Sequence, residues 1–511
     1  MATAPLAAAL IGVFIGALDL TVIATILPSM VMGLNVNTAD VDRYVWIVNG
    51  YLLAYIVAIP LMGRVSDIIG RRPAFLIALT VFVVGSAWCA SAGSLSSLIA
   101  ARVVQGAGGG AVLPVTMALV GDLAAPAKRV AALGVVGAVD TLGWVVGPIW
   151  GAAIVGILGG DKDSWRWVFW INLPLGVLAA FAIMIGIAPR PTSKSQSLDV
   201  VGALLLAIAL VALNLALSSG GELSGNEGSG LRALGGTRNP LADHLVELLL
   251  LTVVAAGLFM LWERRKSAPL VPLALFRHRP FVIAMATNFL VGAALIIAMV
   301  DVPIVIALLV APERVSSLSA LMLAPFTLLM ALLSLGGGIF AARVSIRNAA
   351  VLGLVLVVVG YLGLFAGLQS GDYIRMVPGL LIAGAGFGLV IAPIASIAIG
   401  AAAIGDRGIA AGLTLVFRLL GMTVGISTLT SVAIRRLQSL TGNLQPITQG
   451  TEESTAAFLD RQRQFLETNV IPLSLQVVRE TFLIAGGIAL LGLIPAFQLR
   501  KSGTKEEAID E

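Results

Sequence analysis

Residues 63–72 read Gly63-Arg64-Val65-Ser66-Asp67-Ile68-Ile69-Gly70-Arg71-Arg72, one acid and three bases set between two long apolar runs. The run before it begins near Tyr44 and the run after it near Ala74. Each has the roughly 20 mostly apolar residues that a helix needs to cross a bilayer. The charged stretch therefore reads as a short turn at a membrane face. The same alternation repeats along the chain in both directions. Further runs begin near Leu6, Ser96, Ala131, Trp167, Val200, Leu245, Phe281, Ser317, Ala349, Val377, Ile409 and Ile471, which makes fourteen. In lipid every backbone polar group must be bonded within its own segment or a closed barrel, and unbroken apolar runs of this length do not fit barrel strands. The expected fold class is an all-α membrane protein with fourteen transmembrane helices.

Composition supports the bilayer as solvent. Of 511 residues, 58% are hydrophobic and 12% charged, against about 25% charged in soluble domains. The net charge of +5 does not point to nucleic acid, because the basic residues sit in short loops between apolar runs, as membrane topology demands. The N-terminal MATAPLAAAL lacks a basic leader, so the first run is expected to be retained. The single cysteine, Cys89, lies in an apolar run, where plain packing is the expected role. His244 and His278 are isolated, so no metal site is expected. Neither a P-loop nor a nucleophile–base set with matched spacing is present. No cofactor and no enzymatic activity are expected, and any transport must draw on a gradient or a partner.

Orientation follows from Lys and Arg. One set of loops holds Arg64, Arg71, Arg72, Lys128, Arg129, Arg190, Lys194, Arg264, Arg265, Lys266, Arg277, Arg279, Arg343, Arg347 and Arg407, with Arg500, Lys501 and Lys505 in the tail. The short loops of the other set hold Arg43, Lys162, Arg314 and Arg375. The richer set is cytoplasmic by the positive-inside rule, which puts both termini inside a cell inner membrane. Two outer loops are longer. Residues 219–243 are rich in Gly and polar groups, and a flexible loop and a small hairpin are both open. In 438–470, Ala457, Phe458, Phe465 and Leu466 recur at helical spacing. The last two helices are expected to run beyond the membrane, with Arg435 and Arg436 above the lipid; the alternative is a disordered loop.

Charged groups within the bilayer cost at least about 2.5–3.5 kcal/mol and are functional candidates by default. They are Asp19, Arg102, Asp140 and Arg418, with Asp301 and an Arg479–Glu480 pair nearer an outer edge. At about 1.5 Å per residue, Asp19 lies about 20 Å from the inner face and Arg102 about 9 Å below the outer face, near one level. Asp140 and Arg418 both lie about 14 Å from the inner face. Each acid can pair with its arginine or compete for a proton, because burial disfavours a carboxylate's charge and a guanidinium restores it. A static ion pair is the alternative for Asp19 and Asp140; for Asp301 and Arg479–Glu480 a static or interfacial reading is favoured. Glycines are dense at Gln105-Gly106-Ala107-Gly108-Gly109-Gly110, at Gly134, Gly137, Gly143, Gly147 and Gly151, and at Gly384, Gly386 and Gly388. Small residues let backbones approach closely, and Pro148 in mid-span suits a pliable helix. Ordinary packing and a rocking motion need the same property.

Residues 63–72 resemble the G-x-x-x-D-x-x-G-R-[KR] signature of the major facilitator superfamily, with Ile68 where the common form has Arg. Three stretches agree: Leu98–Gly106, like the span-four motif with its buried arginine; Gly143-Trp144-Val145-Val146-Gly147-Pro148-Ile149-Trp150-Gly151, like the span-five antiporter motif; and Trp165–Pro174, like the W-R-W-x-F-x-I-N-x-P stretch of the fourteen-span drug:proton antiporters. Ala17-Leu18-Asp19 with Thr21, Tyr44–Val48, Val300–Val302, Gly408–Ala411, and Arg418 with Gly421-Met422 resemble the mycobacterial triacylglyceride exporters, which act with an LprG-like lipid-carrying lipoprotein.

The resemblance implies two six-helix bundles with two inserted linker helices. It places residues 1–188 in an N-terminal bundle, 199–262 in the linker pair around the outer loop 219–243, 281–499 in a C-terminal bundle, and 500–511 in a cytoplasmic tail. It implies a conformational latch at Gly63, Asp67, Gly70, Arg71 and Arg72, weakened by Ile68. It also implies functional roles for Asp19 and Arg418, to which the depth count adds Arg102 and Asp140 as proton-coupling candidates. The subfamily's span-five acid falls at Thr141; Asp140, one residue earlier, is rotated by about 100°. The implied function is proton-coupled export of lipids by a monomer, from the inner leaflet toward an outer lipoprotein. A multidrug:proton antiporter for hydrophobic small molecules shares every broad motif, and a lipoprotein-binding scaffold is a third reading.

Overall fold

The computed structural model describes residues 3–34, 46–157, 163–187, 198–219, 244–266, 269–368, 372–442, 444 and 454–499. Residues 220–243 of the long loop, the tail 500–511, Tyr44, and the loop bases Arg43, Lys162, Arg190 and Lys194 lie outside the described residues. Among those described, every regular element is helical, and fourteen helices are long and apolar enough to span a membrane.

The first six are α1 (Thr3–Gly33), α2 (Trp46–Ile69), α3 (Arg71–Ser91), α4 (Leu95–Leu123), α5 (Pro126–Ile157) and α6 (Asn172–Gly186), the last preceded by a short helix, Arg166–Trp170. Next come α7 (Val200–Ser219) and α8 (Leu245–Glu263). The remaining six are α9 (Arg279–Leu309), α10 (Pro312–Arg343), α11 (Ile346–Gly367), α12 (Val377–Gly400), α13 (Arg407–Thr441) and α14 (Ile471–Phe497). Local chemistry sets several starts. Ser94, Ser345 and Ser454 cap helices by accepting from Ser97, Asn348 and Ala457 N–H. Proline stands in the first two positions of α9, α10, α12 and α14, where its missing N–H costs nothing. The α2–α3 turn needs Gly70, whose φ of +94° lies in the region L side chains avoid.

The two sets of six pack alike. α1 lies on α5, and α2 and α3 on α4; likewise α9 lies on α13, and α10 and α11 on α12. Such a repeat is the basis of alternating access in transporter folds. The sets meet along two seams, α5 with α10 and α2 with α13. α7 and α8 pack on each other, and α7 also touches α2 and α13. α8 turns Val246, Leu250, Val253, Val254 and Leu261 outward, a continuous apolar face suited to lipid.

With fourteen spans among the described residues, the start of α1 and the end of α14 fall on one side, here the terminal face; the other is the distal face. Among the described residues, two helical stretches are the longest. α13 has 35 residues and no internal proline, about 52 Å of helix against a hydrocarbon core of about 30 Å. Residues Thr455–Phe497 form a 43-residue span built from helix Thr455–Phe465, a π-helical turn Leu466–Val470, and α14. Ala457, Phe458 and Phe465 lie within helix Thr455–Phe465, and Leu466 opens the π-helical turn.

Candidate functional site

The motif at 63–72 forms a junction between the two sets of helices at the terminal face. Asp67, at the end of α2, accepts from the backbone N–H of Gly408 (2.8 Å) and Ile409 (2.9 Å). Those are orphan donors of the first turn of α13, so a carboxylate from one bundle caps a helix of the other, with the helix dipole in its favour. Arg71 braces it, donating to Asp67 at 2.5 Å, Ser66 at 2.7 Å and Asp122 at 2.9 Å. Arg407 donates to the other oxygen of Asp122 at 3.1 Å, and Arg64 reaches Asp406 at 2.9 Å. Gly63 makes the approach possible: a Cβ there would stand 2.5 Å from the Gly408 carbonyl oxygen. Among the described residues Arg72 forms no ion pair, and Ile68 adds no charge. Asp122 and Asp406 were not singled out by the sequence; the signal available was an acid at the end of a span facing a known basic loop. Replacing Asp67 with Ala removes two charge-assisted interbundle bonds at about 1.5–3 kcal/mol each. We expect Asp67→Ala to open the terminal face, read as at least tenfold faster thiol labelling of a cysteine placed at Leu415, a buried cavity-lining position on α13, in a Cys89→Ala background.

Deeper in, the bundles meet at a cavity of about 20 Å³ walled by Leu113, Met117, Leu133, Val136, Ile391, Ala392, Ala395 and Leu415. Its polar members are Asp140, Asn288, Thr414 and Arg418. It has room for about one water, so a large substrate has no place in this conformation. Arg418 Nη2 stands 3.7 Å from Asp140 Oδ2, an ion pair between α13 and α5 that is too long for a hydrogen bond. The rotation of Asp140 relative to Thr141 does not turn it away: the acid faces Arg418, while Thr141 bonds back to the Gly137 carbonyl at 2.8 Å. Asn288 donates to the Thr414 carbonyl, pinning α9 to α13 beside the pair.

The second acid–arginine pair is of a different kind. Asp19 is fully buried and Arg102 is 1% exposed. Asp19 Oδ2 accepts from Arg102 at 2.5 Å; its Oδ1 accepts from Gln105 at 2.9 Å and Asn172 at 3.2 Å. Arg102 also donates to Gln105 Oε1 (2.6 Å) and the Ile47 carbonyl (3.3 Å), and stacks 3.9 Å over the Tyr51 ring. Ser86 accepts from Gln105 and Asn172, and Cys89 donates to Gln105 Oε1 at 3.4 Å, so the cysteine is part of this network as well as packed. Gln105, Asn172 and Tyr51 were not named as site residues. Uncharged polar groups in mid-span were the available signal, since each needs a partner in lipid.

The glycines of the span-five motif hold α1, the helix that carries Asp19. A Cβ at Gly143 would meet Ala17, at Gly147 the Leu18 carbonyl, and at Gly151 Thr25. Pro148 stands inside α5 among them. The expected Arg479–Glu480 pair does not form. Glu480 instead takes two bonds from Arg436 on α13, at 2.7 and 3.0 Å, while Arg479 donates to the Phe365 carbonyl and covers its ring. Adjacent residues on a helix point about 100° apart, so neighbours in sequence are poorly placed to pair.

Residues 9–426 match the Major Facilitator Superfamily. A triacylglyceride transporter of Mycolicibacterium hassiacum is 33% identical over 522 aligned residues, covering 98% of this chain and 93% of the relative. One of Mycobacterium tuberculosis is 32% identical over 516, covering 98% and 94%. Among solved structures, the human organic anion transporter MFSD10 superposes with a TM-score of 0.61 at 16% identity, over 97% of this chain and 99% of that one. The proton:xylose symporter XylE gives 0.59 at 14%, over 98% and 96%. At such identity these two share the fold alone. The chain belongs to the Major Facilitator Superfamily and is a multi-pass secondary transporter, not an enzyme.

Proposed function

We propose that this transporter exports triacylglyceride-like lipids by alternating access coupled to the inward flow of protons, taking them from the inner leaflet to a lipid-carrying lipoprotein of the LprG kind. The observation that carries the reading is the interbundle cavity, apolar on most sides and crossed by one loose ion pair, Asp140–Arg418. The names of the relatives, which span nearly the whole chain, support a lipid as cargo. The basic terminal face is taken as cytoplasmic, with both termini there. Residues 1–188 and 281–499 act as the two moving bundles and 199–262 as the linker.

The chemistry follows from which bonds can open. At 3.7 Å a full ion pair is worth on the order of 4 kcal/mol at an effective dielectric near 20. Protonating Asp140 removes that attraction and frees α5 from α13, whereas Asp19 is held by three side chains within one bundle. Asp140 and Arg418 therefore act as the coupling pair. Asp19 and Arg102 tune it from behind, through α1 and the glycine contacts with α5.

Purified protein in liposomes, given a fluorescent triacylglyceride and acid on the distal side, is expected to move lipid at least tenfold faster than without the gradient. Asp140→Asn should abolish the dependence on the gradient. No lipid movement under either condition sinks the proposal. Dye efflux without lipid movement would make the cargo a hydrophobic drug instead.

A further inference from the structure

Asp301 belongs to neither acid–arginine pair. It lies on α9, is 4% exposed, and sits eight residues before the helix ends at Leu309, about 12 Å of helix from the distal end. Its Oδ2 is 2.5 Å from Thr481 Oγ1 on α14. The same hydroxyl is 2.6 Å from the Val478 carbonyl oxygen one turn earlier. A threonine hydroxyl carries one hydrogen, while a carboxylate and a carbonyl are acceptors only. One hydrogen cannot fill two contacts this short. With an ionised Asp301, one of the two would be an unbridged approach of oxygen to oxygen.

We propose that Asp301 carries a proton in this conformation and donates it to Thr481 Oγ1, which in turn donates to the Val478 carbonyl. Each oxygen then has a consistent role, and the distances suit O–H···O bonds. The site binds a proton and, unlike the other two acids, has no arginine.

The surroundings agree. No arginine or lysine among the described residues pairs with Asp301, and an ion buried without a counter-charge is far costlier than a neutral acid. α14 presents Arg479, engaged with Phe365, and Glu480, engaged with Arg436 of α13. Arg435, next along α13, is also engaged. Arg418 faces Asp140 and Arg407 faces Asp122, both nearer the other end of α13. α11 offers Tyr361, whose hydroxyl donates to the Ala294 carbonyl at 2.5 Å. α12 has no titratable side chain, and those of α10, Glu313, Arg314 and Arg343, lie at its ends. On α9 itself the only other ionisable group is Arg279, at its start, with Arg277 and His278 just before.

Only the use of this proton in transport rests on the proposed function; its presence does not. Difference infrared spectroscopy of purified protein at neutral pH, wild type minus Asp301→Asn, is expected to show loss of one carboxylic acid C=O band that shifts in D2O. Thr481→Val should shift that band without removing it. Loss of a carboxylate band with no acid band overturns the proposal, and so does an acid band indifferent to Thr481→Val. Should Asp301→Asn fail to fold, wild type against Thr481→Val with isotope-labelled aspartate gives the same decision. Absence of lipid transport in liposomes leaves this result standing, and an ionised Asp301 leaves lipid transport standing.

Discussion

Asp19→Ala is expected to destabilise the protein by about 3–5 kcal/mol, the cost of stranding a buried partner charge. Arg102 would keep its place at 1% exposure with its carboxylate gone. Gln105 and Asn172 would each lose an acceptor as well. A lower melting midpoint of the detergent-solubilised protein measures the effect. Asp19→Asn keeps the shape and loses less stability. The double variant Asp19→Leu with Arg102→Met should recover much of the stability, because a buried pair replaced by apolar groups of like volume is often neutral. Transport then decides the role. A stable double variant that moves no lipid makes the pair functional; one that transports normally makes it a static tie between α1 and α4.

Gly63→Leu is expected to hold the terminal face open. The hydrogen of Gly63 faces the Gly408 carbonyl, and this is helix backbone on both sides, with nothing that can swing aside. A side chain there cannot coexist with the Asp67 bonds to Gly408 and Ile409. Overpacking costs about 1–3 kcal/mol where neighbours can yield, and more where they cannot. A bias above about 3 kcal/mol moves a two-state population by more than a hundredfold. The checks are distance distributions between spin labels on the terminal ends of α2 and α13, expected to lengthen, and transport, expected to fall at least tenfold. Unchanged distances with full activity would remove the latch from the mechanism.

What could be read in advance was position along the membrane normal. Apolar run length set the fourteen crossings, and counting residues from each end put Asp19 level with Arg102 and Asp140 level with Arg418. Both pairings occur. Rotation about each helix axis was not readable, since it depends on which neighbour a helix lies against. That is why Glu480 was assigned to adjacent Arg479 and not to Arg436 on another helix. It is also why the one-residue offset between Asp140 and Thr141 did not settle which way the acid points. The partners that complete the latch, Asp122 and Asp406, come from segments far from residues 63–72 in sequence, and only the folded bundles bring them together. For Asp301 the sequence supports a static or interfacial reading, and its hydroxyl partner on α14 could not be seen from spacing.

α13 behaves mechanically as a lever. α4, α5, α9, α10 and α12 each contain an internal proline and can flex; α13, with 35 residues, has none. Its foot is pinned by Asp67 and its head is tied to α14 by Arg436 and Glu480. Over about 52 Å of rigid helix, a tilt of about 10° at the foot swings the head through about 9 Å. A tilt of α13 begun by release of the Asp67 bonds would therefore be largest at its head, where Arg436 and Glu480 tie it to α14.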